Sequence, residues 1–292
     1  VLDFSARDTL TIPTNTIESN RLYGLMKSFG LKIRKATTLK MGFLDQALPL
    51  DQQTKWRHLM FWGPPGVGKT VLACRATNSV LIEIDPNGSL SLNNHPEIAK
   101  DILVIGKDKI KKFDDLKSIN KEIRRGGLPD RDTFIIDTTN FLELLDLIEI
   151  VRKDAANEKS NFSGNKPELQ HYGQANADMK EFFIDWCELE RNVIFICHDL
   201  DEQDDFDKSW TTRINHTPKL ADSVLSLMDA MFYMTADYPV SGRGDPTRTL
   251  RSMPTRRIRA KTRLGVPPTF PADDVWKLVK LGTSQSNQIQ SN

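Results

Sequence analysis

The chain has 292 residues, of which 39% are hydrophobic and 27% charged, and its formal net charge is +1. That length buries one sizeable core with room for a small extension, and the near-neutral balance leaves any nucleic-acid surface to a local patch. No apolar run approaches the ~20 residues of a membrane span, no signal-peptide pattern follows Val1, and Cys74, Cys187 and Cys197 show neither metal nor redox spacing, the pattern of reduced thiols in a cytoplasmic protein.

Residues 1–55 read as an N-terminal arm. The first twenty carry little periodicity, and Leu22, Leu25, Met26 and Phe29 then suit an amphipathic helix, packed on the core or docked on a neighbouring subunit. His58 to Trp62 is a short buried strand entering Gly63-Pro64-Pro65-Gly66-Val67-Gly68-Lys69-Thr70, which matches the phosphate-loop pattern G-x-x-x-x-G-K-[ST] at every constrained position. Glycines let the backbone curl around a polyphosphate with its N–H groups inward. Lys69 brings a cation to the terminal phosphates, and Thr70 offers a hydroxyl to Mg²⁺. A helix follows from Val71, so Gly63 through Val71 form the expected ATP cradle.

Val80 to Asp85 is a second buried strand, closed by Pro86-Asn87-Gly88. A polar crossover spans 89–130, with a strand at Ile102 to Ile105 and an exposed helix from Phe113 to Arg125. Thr133 to Asp137 is an apolar strand that delivers an acid at its end, the expected metal-shell partner of Thr70. Helices are expected from Phe141 to Lys153 and from Gln174 to Arg191, with a polar loop between. Asn192 to His198 is another buried strand, and 199–218 reads as a long loop whose first half is acidic. Lys219 to Asp229 is helical, Met231 to Met234 is a strand, and Thr247 to Lys261 suggests a basic hairpin turning at Pro254. Beyond Gly265 come a short helix at Val275 to Leu281 and a polar tail from Ser284. Strands alternating with helical crossovers argue an α/β fold with a mostly parallel sheet flanked by helices, its site at the C-terminal strand ends. The core is expected over 56–265, followed by a C-terminal segment over 266–292.

GPPGVGKT, LIEIDPNGSL, FIIDTTN, HYGQANADMKEFFIDWCELERNVIFICHDL and IRAKTRLG, in that order, resemble the RecA-like phage nucleotide-binding proteins. The resemblance implies a RecA-like phosphate-loop ATPase of the single-strand annealing and recombination type, using ATP and Mg²⁺ in the cytoplasm, the host's if phage-encoded. Position by position it implies Lys69 and Thr70 on phosphate and metal, Asp137 as the second metal-shell acid, and His198 as a sensor of the γ-phosphate; the plain alternative for His198 is a satisfied strand-end histidine. Lys261 and Arg263 resemble a finger that serves a neighbouring subunit's site, which implies a ring or filament. A basic solvated strand edge is the alternative.

The base departs from the family pattern. In AAA+ proteins a Glu follows the metal-binding Asp, whereas Asp137 is followed by Thr138, Thr139 and Asn140. The family instead places Glu after the second strand, where this chain has Asn87, which orients water but cannot take its proton. Asp85 or Glu83, on one strand face, is left for the task, with Asp85 favoured as nearer the strand end. Single-stranded DNA is the expected partner, along with a homo-oligomer and, by resemblance alone, a single-strand-binding protein. Its candidate contacts are Lys159, Phe162, Lys166, His171 and Tyr172 in one loop and Trp210, Arg213 and His216 in the other. The basic run Arg243, Arg248, Arg251, Arg256, Arg257, Arg259, Lys261 and Arg263 is a phosphate track or a subunit contact. A ring helicase or translocase and a non-hydrolysing nucleotide-dependent assembly protein are the competing readings.

Overall fold

Apolar runs such as Leu-Met-Phe-Trp between polar connections are what a strand buried on both faces requires, and a parallel sheet is where such strands belong. A computed structural model describes residues 56–86, 88–157, 166–203, 208–239 and 244–283. The expected arm, the Leu22–Phe29 helix, Asn87, Lys159, Phe162, Arg243 and the polar tail lie outside the described residues.

Strand β1 (His58–Gly63) leads through the phosphate loop into α1 (Lys69–Cys74). Next come β2 (Ser79–Glu83), a 3-10 turn (Gly88–Asn94), α2 (Pro96–Ala99), β3 (Leu103–Ile105), α3 (Phe113–Arg124) and β4 (Thr133–Asp137). Helices α4 (Thr139–Ala155) and α5 (Leu169–Cys187) lead to β5 (Asn192–Gln203), β6 (Trp210–Ile214), α6 (Pro218–Leu227) and β7 (Ala230–Asp237). The chain closes with β8 (Thr247–Arg251), β9 (Lys261–Thr262), β10 (Thr269–Pro271) and α7 (Val275–Leu278). The strand order is β10-β8-β7-β1-β5-β4-β2-β3, parallel from β7 to β3 and antiparallel at β8 and β10. The α/β fold with a mostly parallel sheet is therefore as expected.

Period-two alternation divides the core cleanly. Met60, Trp62, Val80, Ile82, Phe134, Ile136, Val193, Phe195 and Cys197 pack against α3, α4, α5 and α6, where Phe113, Leu142, Phe182, Trp186 and Val224 meet them. Leu59, Phe61, Leu81, Ile135, Ile194, Ile196, Phe232 and Leu250 face α1 and the C-terminal segment. No helix among the described residues is long and apolar enough to cross a membrane.

The structure departs from expectation in several places. Residues 199–218 are not one loop: β5 continues to Gln203 and folds back on β6 as an antiparallel hairpin. Two of the acids are answered within the hairpin, Asp201 by the Thr212 hydroxyl at 2.6 Å and Glu202 by Arg213 at 2.7 Å. The basic hairpin about Pro254 does not form. β8 instead pairs with β7 and β10, because Leu250 and Phe270 are buried together on that face, while β9 pairs with the start of β7. Residues 266–283 do not stand apart from the core, since β10 is a strand of the main sheet and Phe270, Val275 and Val279 are core residues. Helix α5 begins at Leu169 rather than Gln174, capped by Glu168, whose backbone N–H donates to His171 Nδ1 at 2.8 Å.

Candidate nucleotide site

The phosphate loop folds as its glycines demand. Gly63, Gly66 and Gly68 have φ of 144°, 79° and 100°, and a side chain on Gly63 would collide with the Met234 carbonyl. Lys69 is buried, and its Nζ donates to the Gly63 and Pro64 carbonyls, each at 2.8 Å. Burial lowers its pKa to about 8 against the opposing pull of Asp137. Thr70 Oγ1 donates to Asp137 Oδ2 at 2.6 Å, joining α1 to the end of β4. Burial pushes Asp137 up to about 6; Thr70 and Lys69 pull it down, and Asp85 and Glu83 push it further up.

Sheet register explains why these residues meet. Glu83 pairs with Asp137 across β2 and β4, Asp137 pairs with Ile196 on β5, and His198 pairs with Gly63. By alternation Glu83, Asp137 and His198 continue the Leu81, Ile135 and Ile196 face, the face on which α1 lies. Strand β5 sits between β1 and β4, so His198 stands between the loop and the acid. Its backbone N–H donates to Asn140 Oδ1 at 3.1 Å, and burial followed by the Lys69 charge lowers its pKa, favouring the neutral ring. Glu83 is buried and accepts the Ser89 N–H on Oε1 at 2.6 Å, while Asp85 is half-buried just past the end of β2.

The donor set fits a magnesium nucleotide. A hydroxyl and a carboxylate within hydrogen-bond distance are hard oxygen ligands, and Mg²⁺ takes the rest of its shell from phosphate and water. Acids crowded at Asp137, Glu83 and Asp85 are a repulsion that a cation relieves. Among the described residues no group of three or more His, Cys, Asp or Glu could hold a metal by protein ligands alone.

Arg248, taken from sequence as one member of a basic run, lies against the loop itself. Its Nε donates to the Val67 carbonyl at 2.9 Å. Nothing local signalled this, because the partners are 181 residues apart in sequence.

Lys261 and Arg263 are not brought to this site. β9 pairs with Ala230 and Met231, at the level of Leu59 and Met60, so Lys261 lies about 10 Å down the sheet from Gly63 at ~3.3 Å per residue and Arg263 lies further. Lys261 Nζ donates to the Leu225 carbonyl at 2.6 Å and Arg263 to the Ser226 carbonyl at 3.1 Å, at the C-terminal end of α6, where cations are favoured. Several expected DNA contacts are also withdrawn by burial. His171 is buried with Asp154 at 2.9 Å, Arg213 is buried on Glu202, and His216 is buried between Glu143 and Thr139. Each is a polar group whose charge or ring finds an interior partner, which makes it structural. Trp210 remains 49% exposed, and Lys166, Tyr172, Arg256 and Arg257 also reach solvent.

Among solved structures the chain is similar to the flagellar accessory protein FlaH from Methanocaldococcus jannaschii, at 14% identity over 67% of this chain and 76% of that one, with a TM-score of 0.36. Comparison with curated proteins finds no match. The model of an AAA domain family, AAA_24, matches residues 55–264, more than half of the chain and a span that includes the phosphate loop, Asp137, His198 and β9. The chain belongs to that AAA domain family.

Proposed function

We propose that the chain is a RecA-like ATPase that acts on single-stranded DNA in phage-type recombination or annealing and works as an oligomer in the cytoplasm. The observation that carries the ATPase reading is the Lys69, Thr70 and Asp137 constellation, with His198 between loop and acid. Thr70 and Asp137 would hold Mg²⁺, which when bound offsets charge on the phosphates. Lys69 leaves the Gly63 and Pro64 carbonyls for a phosphate oxygen, and His198 hydrogen-bonds the terminal phosphate as a neutral donor. Asp85 orients the attacking water and accepts its proton, while Glu83, occupied with Ser89, holds the 3-10 turn against the site. Asp85→Asn should then lower turnover more than Glu83→Gln lowers it.

Lys261 and Arg263 lie too far from their own loop to serve it and hold the end of α6, so a role at a neighbour's site in a ring or filament requires them to leave the Leu225 and Ser226 carbonyls. The β5–β6 hairpin supports the DNA reading, since Asp201 and Glu202 are paired within it and Trp210 offers an exposed ring, with Arg256 and Arg257 also exposed. Trp210→Ala is expected to weaken binding of an oligo-dT strand by about 1–3 kcal/mol, the range of one base stacked on one ring, and to leave the thermal midpoint unchanged. Equal affinity of the variant and the parent would remove the hairpin from the DNA path.

The deciding assay is phosphate release from ATP with and without single-stranded DNA, with Lys69→Ala as control. DNA-stimulated release that the variant loses supports the proposal. Tight ATP binding with no release in either condition would instead make the chain a nucleotide-gated assembly protein. Unwinding of a forked duplex would make it a helicase.

A further inference from the structure

Arg248 reaches the phosphate loop from β8, two strands along the sheet from β1. Its strand, β8, runs antiparallel to β7, with Arg248 opposite Ala236 and Leu250 opposite Met234. Leu250 is a core residue on the α1 face, so alternation turns Arg248 to that face as well, one step nearer the loop end of the sheet. There its Nε donates to the Val67 carbonyl at 2.9 Å. A Cβ built on Gly68 would lie 2.8 Å from the same Nε, so the glycine leaves the space that the arginine side chain fills. The sequence meets this need twice over, because Gly68 also has φ of 100°.

The consequence follows from peptide geometry. In a planar trans peptide the C=O and the following N–H point in opposite directions. A donor that holds the Val67 oxygen on the outer side of the loop therefore turns the Gly68 N–H to the inner side, where a nest of N–H groups receives an anion. Arginine suits the task because it stays charged at any working pH and its planar fork holds a fixed direction.

We propose that Arg248 is a positioning residue of the nucleotide site: through the Val67 carbonyl it aims the Gly68 N–H at the bound phosphate and presets the loop in the empty protein. The inference rests on the reading of the loop as a nucleoside triphosphate site, and it separates Arg248 from the basic run that follows. Arg256, Arg257 and Arg259 are exposed, and Lys261 and Arg263 serve α6, whereas Arg248 is committed to the loop of its own chain.

The test uses the full chain and two readouts. The first is affinity for a fluorescent ATP analogue with Mg²⁺. The second is amide hydrogen exchange at Gly68 and Lys69 in nucleotide-free protein, which a surface arginine would not alter. Arg248→Ala is expected to weaken binding roughly tenfold, the loss of one hydrogen bond from a charged donor, and to speed exchange at Gly68. Arg248→Lys keeps the charge and stem but moves the donor, so it should fall between parent and Arg248→Ala on both readouts. It also serves as the test variant if the alanine form does not fold. Methylguanidinium added to Arg248→Ala should restore part of the affinity. Parent-like exchange in the variants overturns the proposal. If it comes with weaker binding, Arg248 touches the nucleotide itself; if affinity is also unchanged, it is a surface residue. Failure of the parent to bind the analogue would defeat the nucleotide reading instead, and exchange in the empty protein would still report whether Arg248 braces the loop.

Discussion

Asp137→Asn is expected to lower ATP turnover on the order of 10³-fold and, in the same protein, to raise the stability of the nucleotide-free fold. The first effect follows from losing an anionic metal ligand, since charge stabilisation by a bound cation is worth several kcal/mol at the transition state. The second follows from the same carboxylate's environment. Asp137 is 3% exposed, and burial raises its pKa from 3.8 to about 6 in spite of Thr70 and Lys69. A carboxyl raised on folding binds protons more tightly in the folded state. Stability therefore falls as pH rises from about 4 to about 6 and stays reduced above that range. Two pH units correspond to roughly 3 kcal/mol. The variant also removes the charge that favours protonated Lys69, which offsets part of the gain. We expect a net stabilisation of ~1–2 kcal/mol at pH 8, read from urea midpoints, that shrinks to nothing below pH 4. A variant that is no more stable than the parent at pH 8 would mean that Asp137 is not strained by its burial. Retained turnover would remove it from the metal site.

Glu143→Gln is expected to destabilise the protein by ~3–5 kcal/mol, the cost of stranding a buried charge. His216 is enclosed, with Nδ1 2.6 Å from Glu143 Oε2 and Nε2 3.0 Å from Thr139 Oγ1. The Thr139 hydroxyl donates its proton to the Ile196 carbonyl at 3.2 Å, so it accepts from Nε2. Both ring nitrogens are then donors and the ring is an imidazolium. The direction of its pKa agrees. Burial lowers it, but Cys197 and Glu143 outweigh burial and raise it to about 10. A histidine raised on folding contributes stability that is fully present below its unfolded value near 6.5 and is lost as pH rises through about 10. The parent's urea midpoint should accordingly fall between pH 7 and pH 10, and Glu143→Gln should flatten that slope. Replacing Glu143 and His216 together with Gln should cost less than Glu143→Gln alone, because no charge is left behind. A single variant within 1 kcal/mol of the parent would show that the pair is not charged.

The same contacts bear on the site. Thr139 follows the Asp137–Thr138 peptide, and the next residue, Asn140, accepts the His198 N–H. Loosening Glu143 should therefore shift His198 as well as weaken the fold, visible as lower turnover at temperatures where the variant is still folded.

Local chemistry was enough to find the centre of this protein. The phosphate loop is contiguous, so its glycines, Lys69 and Thr70 carry their meaning in sequence order alone. An apolar strand that ends in a polar residue also declares itself, and period-two alternation put Glu83 and Asp85 on one face of their strand, but only the sheet register brought Glu83, Asp137 and His198 to a common face. Tertiary structure decided what depends on distant partners. It placed β5 between β1 and β4, joined β8 to β7 and β10 in place of a hairpin, and made residues 266–283 part of the core. It also sorted the charged residues. Arg213, His171 and His216 look like solvent-facing cations in a polar loop, yet each is buried against an acid that no spacing rule announces. Arg248 reads as one of many arginines until β8 lies beside β7 and brings it to Val67. A backbone turn is encoded by the residues that make it, whereas the fate of a charge is set by whatever the fold packs against it.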